Sequence, residues 1–464
     1  MRTFFALLFC VAAFGAEKAP LPKDLPPYGE IKRFTPPQVT EKKLPNGLTL
    51  WLAPESGFPK VAITIAVRGG MAADPAGRPG LAEFLEQTVG QGTKTRTARQ
   101  IAEQLQETGG DLQVTAGPDL IRLSTTVLAD RANAALTVLA DVVANATFPT
   151  SEVEIARRNL ADSLRSREAE PGFLANRALA KAVFGEHPYG IVAPTQASIA
   201  ATTAVELRAQ YAARFQPGRA LLVVVGDFDS KAMTALCTRL FGTWKSAAAS
   251  PADTPAPLRH APHAIFTIGR PGSVQTTLML ATFAPARSDP QYAAAEVADS
   301  ILGGGFTSRL IQNIREDKGY TYSPGTFLDL RRRAVLEQMS ADVRNAVTGA
   351  SFNEMVYELN RMATTEPTAE EVAQAQRYLI GNKAVSLQSR ESVARQLAGL
   401  WSNGLPPEEL GAESERIEKT TPAAVAAVGR QYFAAAQAAI VAVGEPKVLR
   451  DQLAPFAVPM KPAP

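Results

Sequence analysis

The sequence is poor in cysteine and histidine. Its 464 residues include only Cys10 and Cys237, so no disulfide framework can hold the fold together and the hydrophobic core must be large enough to do so. The only histidines are His187, His260 and His263. This scarcity leaves few of the imidazole ligands that catalytic zinc sites generally use.

Long apolar runs and an excess of one charge are also missing. No stretch after the N-terminus reaches the ~18 uninterrupted apolar residues of a membrane span, so we expect none. Lys and Arg total 48 against 45 Asp and Glu, a balance without the basic excess typical of nucleic-acid binding.

Residues 1–16 have the sequence MRTFFALLFCVAAFGA, in which one basic residue is followed by an apolar run and then by small residues. This pattern predicts a secretory signal peptide and therefore a secreted, periplasmic protein.

The chain is long enough for at least two domains. Residues 17–35 are rich in Pro and Lys and form a leader, while residues 246–257 are small and Pro-rich and form a linker. The flanking halves, 36–245 and 258–464, end alike: LLVVVGD at 221–227 resembles AIVAVGE at 439–445. We therefore predict two copies of one α+β domain.

Several local patterns predict individual elements. Asn46-Gly47 is a hairpin turn signal before an alternating strand, and 61–67 is predicted to be the partner of that strand. Helices are expected at 80–89, 97–108, 130–146 and 151–168.

The helix at 80–87 has the sequence GLAEFLEQ, and the chain continues through QGTKTRTARQIAEQLQETGG. These thirty residues resemble the pitrilysin (insulinase) family of zinc peptidases, in which the first stretch is GxAHFLEH. The resemblance implies two α+β domains, each a mainly antiparallel sheet packed with helices, facing each other across a cavity. In the family the two histidines bind zinc and the Glu between them activates water.

This chain departs from the family at the ligand positions. Glu83 and Gln87 stand where the two histidines belong, and only Glu86 is kept. The resemblance places the third ligand near Ser163, with Asp162 close by. One carboxylate and two neutral oxygens suit zinc poorly, so we expect no cofactor in this chain. Glu83 and Glu86 are then either an acid/base pair or a solvated helix face lining an inherited cavity.

The second half carries the better preserved motif, SILGGGFTSRLIQNIREDKGYTYS at 300–323. It resembles the family stretch in which an Arg and a Tyr bind the substrate and stabilise the oxyanion; the matching residues are Arg315 and Tyr322. The run Gly303 to Gly305 lacks the Lys and Ser or Thr of a phosphate loop, and we expect it to permit a tight turn.

This chain combines a lost metal site with a retained Arg/Tyr pair. In this combination it resembles the α-type subunit of the mitochondrial processing peptidase and bacterial periplasmic two-subunit homologues. The resemblance implies a non-catalytic subunit that acts on peptides with a zinc-bearing partner. Gln113, where active members carry Asn on the strand that pairs with the peptide, weakens the case for peptide binding here. Two alternatives stay open: a scaffolding homologue, or a peptidase whose metal site uses Glu83, Glu86 and Asp162.

Overall fold

A computed structural model describes residues 35–246 and 248–464. The predicted signal peptide and all but the last residue of the leader lie outside these residues. Within them no helix is both long and apolar enough to cross a membrane.

The described residues form twelve strands and fifteen α-helices. The strands are β1 Thr40–Lys43, β2 Thr49–Pro54, β3 Lys60–Arg68, β4 Gln113–Ala116, β5 Leu120–Leu128, β6 Ala220–Gly226, β7 Ile265–Gly269, β8 Gln275–Ala284, β9 Gly325–Arg331, β10 Ala334–Arg344, β11 Ala439–Gly444 and β12 Met460–Pro462. The helices are α1 Leu81–Thr88, α2 Ala98–Gln106, α3 Ala132–Asn145, α4 Thr150–Glu168, α5 Pro171–Phe184, α6 Gln196–Ala201, α7 Ala204–Arg214, α8 Ser230–Phe241, α9 Tyr292–Asp299, α10 Thr348–Thr364, α11 Ala369–Ser386, α12 Arg390–Ser402, α13 Glu409–Glu418, α14 Pro422–Tyr432 and α15 Pro446–Leu453.

The strands make two six-stranded sheets of matching design. Their orders are β1-β2-β6-β3-β5-β4 and β12-β7-β11-β8-β10-β9. β6 and β11 hold the same third place, each pairing on one side with a parallel strand and on the other with an antiparallel one. The two strands that share the apolar-run-and-glycine ending are thus equivalent, and the predicted α+β fold with two similar halves is confirmed.

The predicted pairing of the first hairpin is wrong in one respect. The Asn46-Gly47 turn does precede β2, but the partner across that turn is β1, with Lys43 opposite Thr49. β3, the predicted partner, pairs with β5 and β6 instead. A turn signal fixes only the strand next to it; the fully apolar β6 is inserted between β2 and β3 because it needs a neighbour on each side and cover on both faces.

The cover comes from an exchange of helices between the halves. α5 of the first half packs Ala178 and Leu179 against the second sheet, beside Val441. α12 of the second half packs Ala394 and Leu397 against the first sheet. This exchange explains why β6 and β11 are buried along their whole length.

The largest apolar core lies between the other face of the first sheet and helices that include α1, α3, α4 and α8. Cys237 belongs to it and has no exposed surface. Burial raises the pKa of its thiol to about 12, which keeps it unreactive.

Candidate functional site

The start of α1 is fixed by its surroundings. Asp74 accepts hydrogen bonds from the backbone N–H groups of Gly80 (2.7 Å) and Ala82 (3.1 Å), and it is held in turn by the buried guanidinium of Arg214 at 2.8 Å. Gly80 has φ +100°, and a Cβ there would lie 2.5 Å from Pro194. Only glycine therefore fits at this point. The fixed start of α1 determines the direction in which each of its side chains faces.

The side chains of α1 fall on two faces. Leu81, Phe84 and Leu85 are buried in the core of the first half. Glu83 and Gln87, one helical turn apart, lie with Glu86 on the other face. Opposite them, Ser163 and Arg167 lie one turn apart on α4.

These residues share one cavity of about 280 Å³, here called the α1–α4 cavity. The structure thus brings together four of the positions singled out in the sequence, Glu83, Glu86, Gln87 and Ser163. The other lining residues are Met71, Ala116, Leu160, Arg167 and Val192.

Arg167 is the residue that the sequence analysis missed. Its Nη2 donates to Glu83 Oε2 at 3.1 Å, and its guanidinium also lies over the ring of Phe173 at 5.3 Å. Burial raises the pKa of Glu83, and the nearby Arg167 opposes that shift. The i, i+4 spacing of Ser163 and Arg167 on a predicted helix could have revealed it. A fixed cation therefore already neutralises the carboxylate at the first ligand position.

The Glu86 carboxylate also has a hydrogen-bond partner. Its Oε2 accepts the backbone N–H of Ala116, on the edge strand β4, at 2.8 Å. Burial raises the pKa of Glu86, and the hydrogen bond from Ala116 opposes that shift. Glu83 and Glu86 do line a cavity, as one interpretation of the sequence had it, and each is partly exposed there while bonded to Arg167 and to the Ala116 backbone respectively.

The donors around this cavity do not fit a catalytic zinc ion. Glu83 is paired with Arg167, and Gln87 and Ser163 offer only neutral oxygens. Within residues 35–246 and 248–464, no three His, Cys, Asp or Glu side chains gather closely enough to hold a metal. Asp162 points elsewhere: it is exposed and pairs with Arg165 on the helix surface. The structure therefore does not bring together the three residues of the alternative metal site, Glu83, Glu86 and Asp162.

Arg315 and Tyr322 contact each other at the end of the second motif. The Arg315 guanidinium lies 4.5 Å from the centre of the Tyr322 ring and 5.5 Å from that of Phe306. Arg315 Nε also pairs with Glu316 at 3.3 Å. Tyr322 is 77% exposed and Phe306 66%. Neither Arg315 nor Tyr322 lines the α1–α4 cavity.

The glycine run before this pair allows both a close approach to β9 and the turn predicted from the sequence. Residues 300–304 continue α9 as a π-helical turn. A Cβ on Gly303 would lie 2.7 Å from the backbone nitrogen of Thr326 at the start of β9. Gly303 thus allows close packing against β9, and the tight turn expected from the sequence follows at Gly305, whose carbonyl accepts the backbone N–H of Ser308 at 3.0 Å before the next helix.

The strand β4 is an edge strand, as the resemblance implied. It pairs with β5 on one side, Gln113 opposite Ser124, and is last in its sheet. Gln113 is exposed on it. His187 has a local structural role: its Nδ1 accepts the backbone N–H of Tyr189 at 3.2 Å.

Comparison with known proteins agrees with this arrangement. The family described as insulinase (peptidase family M16) matches residues 52–193, and the one described as peptidase M16 inactive domain matches residues 202–379. An uncharacterised zinc protease of Mycobacterium leprae is 30% identical over 63% of this chain and 66% of its own length. One from Rickettsia felis is 25% identical over 79% of this chain and 89% of its own.

Solved structures show the same fold. The peptidase M16 inactive domain from Pseudomonas fluorescens superposes with a TM-score of 0.83 at 23% identity, covering 92% of this chain and all of that one. A protease from Helicobacter pylori gives a TM-score of 0.82 at 18% identity, covering 88% of this chain and all of that one. The two family matches, which lie end to end along most of the chain, identify it as a homologue of the M16 pitrilysin/insulinase peptidases.

Proposed function

We propose that this chain is the non-catalytic subunit of a secreted, periplasmic zinc-peptidase pair. It supplies Arg315 and Tyr322 to a peptide bound at the zinc site of an M16 partner. The observation that carries the proposal is the ion pair between Glu83 and Arg167. It replaces the metal by a side-chain cation, so this chain needs a partner to take part in hydrolysis.

The state of Arg315 and Tyr322 supports a role in a second chain's active site. A guanidinium and a phenol are donors suited to a developing oxyanion. Tyr322 is mostly exposed, and Arg315 keeps part of its surface. Side chains kept only for the core would be buried, whereas these two remain within reach of another molecule.

The edge strand β4 supports a role in holding the peptide. No strand of the described residues pairs with its outer edge, where Glu86 takes one backbone N–H, that of Ala116. Strand addition depends mainly on backbone hydrogen bonds. The exposed Gln113 therefore changes side-chain preference more than it changes this pairing. The relatives named as zinc proteases make a peptide the expected substrate class.

The test is reconstitution with the M16 chain of the same genome that carries an intact zinc motif. Each chain is purified alone and then mixed, with assembly followed by gel filtration and cleavage by a quenched fluorescent peptide. We expect no turnover from this chain alone and a pair more active than the partner alone. Assembly without a gain in turnover would favour the scaffolding alternative, and zinc-dependent cleavage by this chain alone would contradict the proposal.

A further inference from the structure

A second and larger cavity lies between the halves, on the far side of the β4–β5 hairpin from α1. It has a volume of about 500 Å³ and is lined by residues 115–120 of that hairpin and by side chains of α9, α11, α12 and α13. We call it the interdomain cavity. Its size is within the ~300–1,000 Å³ range typical of small-molecule sites.

Strand alternation directs Arg122 toward this cavity. On β5, Ile121 and Leu123 are buried in the core on the α1 side. Arg122 lies between them and faces the other way, opposite Thr115 of β4. Both Thr115 and Arg122 line the interdomain cavity.

Most of the charged groups around the cavity are already compensated. The Glu413 carboxylate pairs with both Arg287 and Lys383. Asp119 accepts the Tyr189 hydroxyl at 2.6 Å and the backbone N–H of Arg332 at 2.8 Å. The Glu413 carboxylate is thus already shared by two cations, and both oxygens of Asp119 are already hydrogen-bonded.

Arg122 is the exception. In the described part of the chain it has no acidic partner within ion-pair distance and no hydrogen-bond acceptor, although it is half buried. Burial and the nearby Arg395 lower the pKa of its guanidinium, which shows that its surroundings do not favour its charge. A bound anion would stabilise the charged guanidinium and so oppose the effects of burial and of Arg395 on its pKa.

The rest of the cavity reinforces this preference. Lys383 also lines the cavity, where its amine pairs with Glu413. Burial lowers the pKa of that amine to about 8. Neither Glu296 nor Asp119 forms an ion pair in the described residues, and burial raises the pKa of the Glu296 carboxyl group. Four basic residues line the cavity against three acidic ones, Asp119, Glu296 and Glu413, so its lining has more basic than acidic side chains.

Part of the remaining wall is apolar, made by Leu120, Leu330, Leu400 and Leu410, and the rest includes the neutral polar side chains of Gln396, Ser402 and Asn403. We propose that the interdomain cavity binds a small organic anion with an apolar body, whose carboxylate or phosphate group is held by Arg122. This site is separate from the α1–α4 cavity and from Arg315 and Tyr322, and it does not depend on a partner chain.

The chain itself offers two ways to block the site. Arg122→Gln removes the cation and keeps a polar side chain of similar reach. Gly399→Leu fills the cavity from α12, because a Cβ at Gly399 meets nothing within 4 Å. Leucine also favours a helix more than glycine does, so this variant should fold at least as well as the wild type. Arg99→Gln, at a side chain 83% exposed, is the matched control.

The experiment is calorimetric titration of the purified chain with hexanoate, hexyl phosphate and hexylamine. We expect one or both anions to bind at one per chain and hexylamine not to bind. Arg122→Gln should weaken anion binding by about tenfold or more, as expected for a lost charged hydrogen bond. Gly399→Leu should abolish binding without lowering the melting temperature, and Arg99→Gln should change nothing. The proposal is overturned if neither anion binds at millimolar concentration, or if both blocking variants bind as the wild type does.

Discussion

Arg167 Nη2 lies 3.1 Å from Glu83 Oε2, across the gap between α4 and α1. The Glu83 side chain is only 13% exposed, and that of Arg167 30%. A carboxylate withdrawn from water in this way needs a nearby cation, and the guanidinium supplies it. The helix face that carries zinc ligands in the family is therefore stabilised here by a side chain of the same protein.

The first prediction is that two histidines alone do not restore a zinc site. The double variant Glu83→His, Gln87→His still lacks a third ligand and would place its imidazoles beside the Arg167 cation. Adding Ser163→Glu and Arg167→Ala supplies the carboxylate and removes the cation from the same cavity. Three such ligands are what a catalytic zinc site requires.

Zinc content measured after loading and dialysis, followed by competition with a chelator, distinguishes these variants. We expect about one zinc per chain for the quadruple variant and none for the wild type or the double variant. One tightly held zinc in the wild-type chain would show that the pairing of Glu83 with Arg167 does not exclude the metal.

The second prediction concerns the stability of the same pair. Arg167→Gln leaves Glu83 buried without its cation, which should lower the free energy of unfolding by about 1–3 kcal/mol at pH 8. Burial already raises the pKa of Glu83, and loss of Arg167 raises it further. The folded protein then takes up a proton more readily as the pH falls, so the loss should be smaller at pH 5 than at pH 8.

Urea unfolding at the two pH values measures this difference. The double variant Glu83→Gln, Arg167→Gln removes both charges and should recover part of the lost stability. Equal losses at pH 5 and pH 8 in the single variant would contradict the role given to the Glu83 charge.

The third prediction uses two neighbouring buried carboxyl groups in the second half, Asp299 on α9 and Glu337 on β10. Burial raises the pKa of Asp299 to about 6 and that of Glu337 well above its usual value. Because both pKa values exceed those of the unfolded chain, the folded state binds more protons. The stability contributed by these groups is therefore fully present below about pH 4 and is lost as the pH rises through the folded-state pKa values.

Glu337→Gln mimics the protonated acid and removes one of the two charges. We expect it to be close to neutral at pH 5 and to stabilise the protein at pH 8, by about 1.4 kcal/mol for each unit of pKa shift removed. Chemical unfolding of the two proteins at both pH values is the measurement, with Glu107→Gln at an exposed position as control. A stability difference that does not change with pH would show that Glu337 titrates normally.

The sequence predicted more of the fold than of the site. The repeated endings at Gly226 and Gly444 identified two equivalent strands, because a wholly apolar run has to be central in a sheet. The predicted pairing of β2 with β3 was wrong because β6, which comes from far along the chain, lies between them. Such long-range pairings are set by packing and leave no local signal.

The site was predicted as a set of positions but not as a set of contacts. Glu83, Gln87 and Ser163 meet as the family resemblance implied, because helix phase is fixed by apolar periodicity. Arg167 was missed since the family pattern assigns nothing to that position. Glu86 was predicted by its place in the motif, but its bond to Ala116 depends on how β4 lies beside α1, which the sequence does not specify.

The last prediction concerns Arg315 and Tyr322 in the assembled pair. Tyr322→Phe keeps the ring against the Arg315 guanidinium and removes only the hydroxyl. If that hydroxyl stabilises an oxyanion in the partner's active site, its loss should lower kcat by ~10²–10³. Arg315→Lys keeps the charge but loses the planar fork, so it should also reduce turnover.

Phe306→Leu, at the other side of the guanidinium, changes packing without removing a donor and serves as the control. The measurement is kcat of the reconstituted pair, with assembly checked by gel filtration. A drop confined to Tyr322→Phe and Arg315→Lys would support action in the partner's site, because packing alone would make Phe306→Leu the most damaging of the three. Unchanged turnover in both donor variants, with assembly intact, would leave this chain as a scaffold.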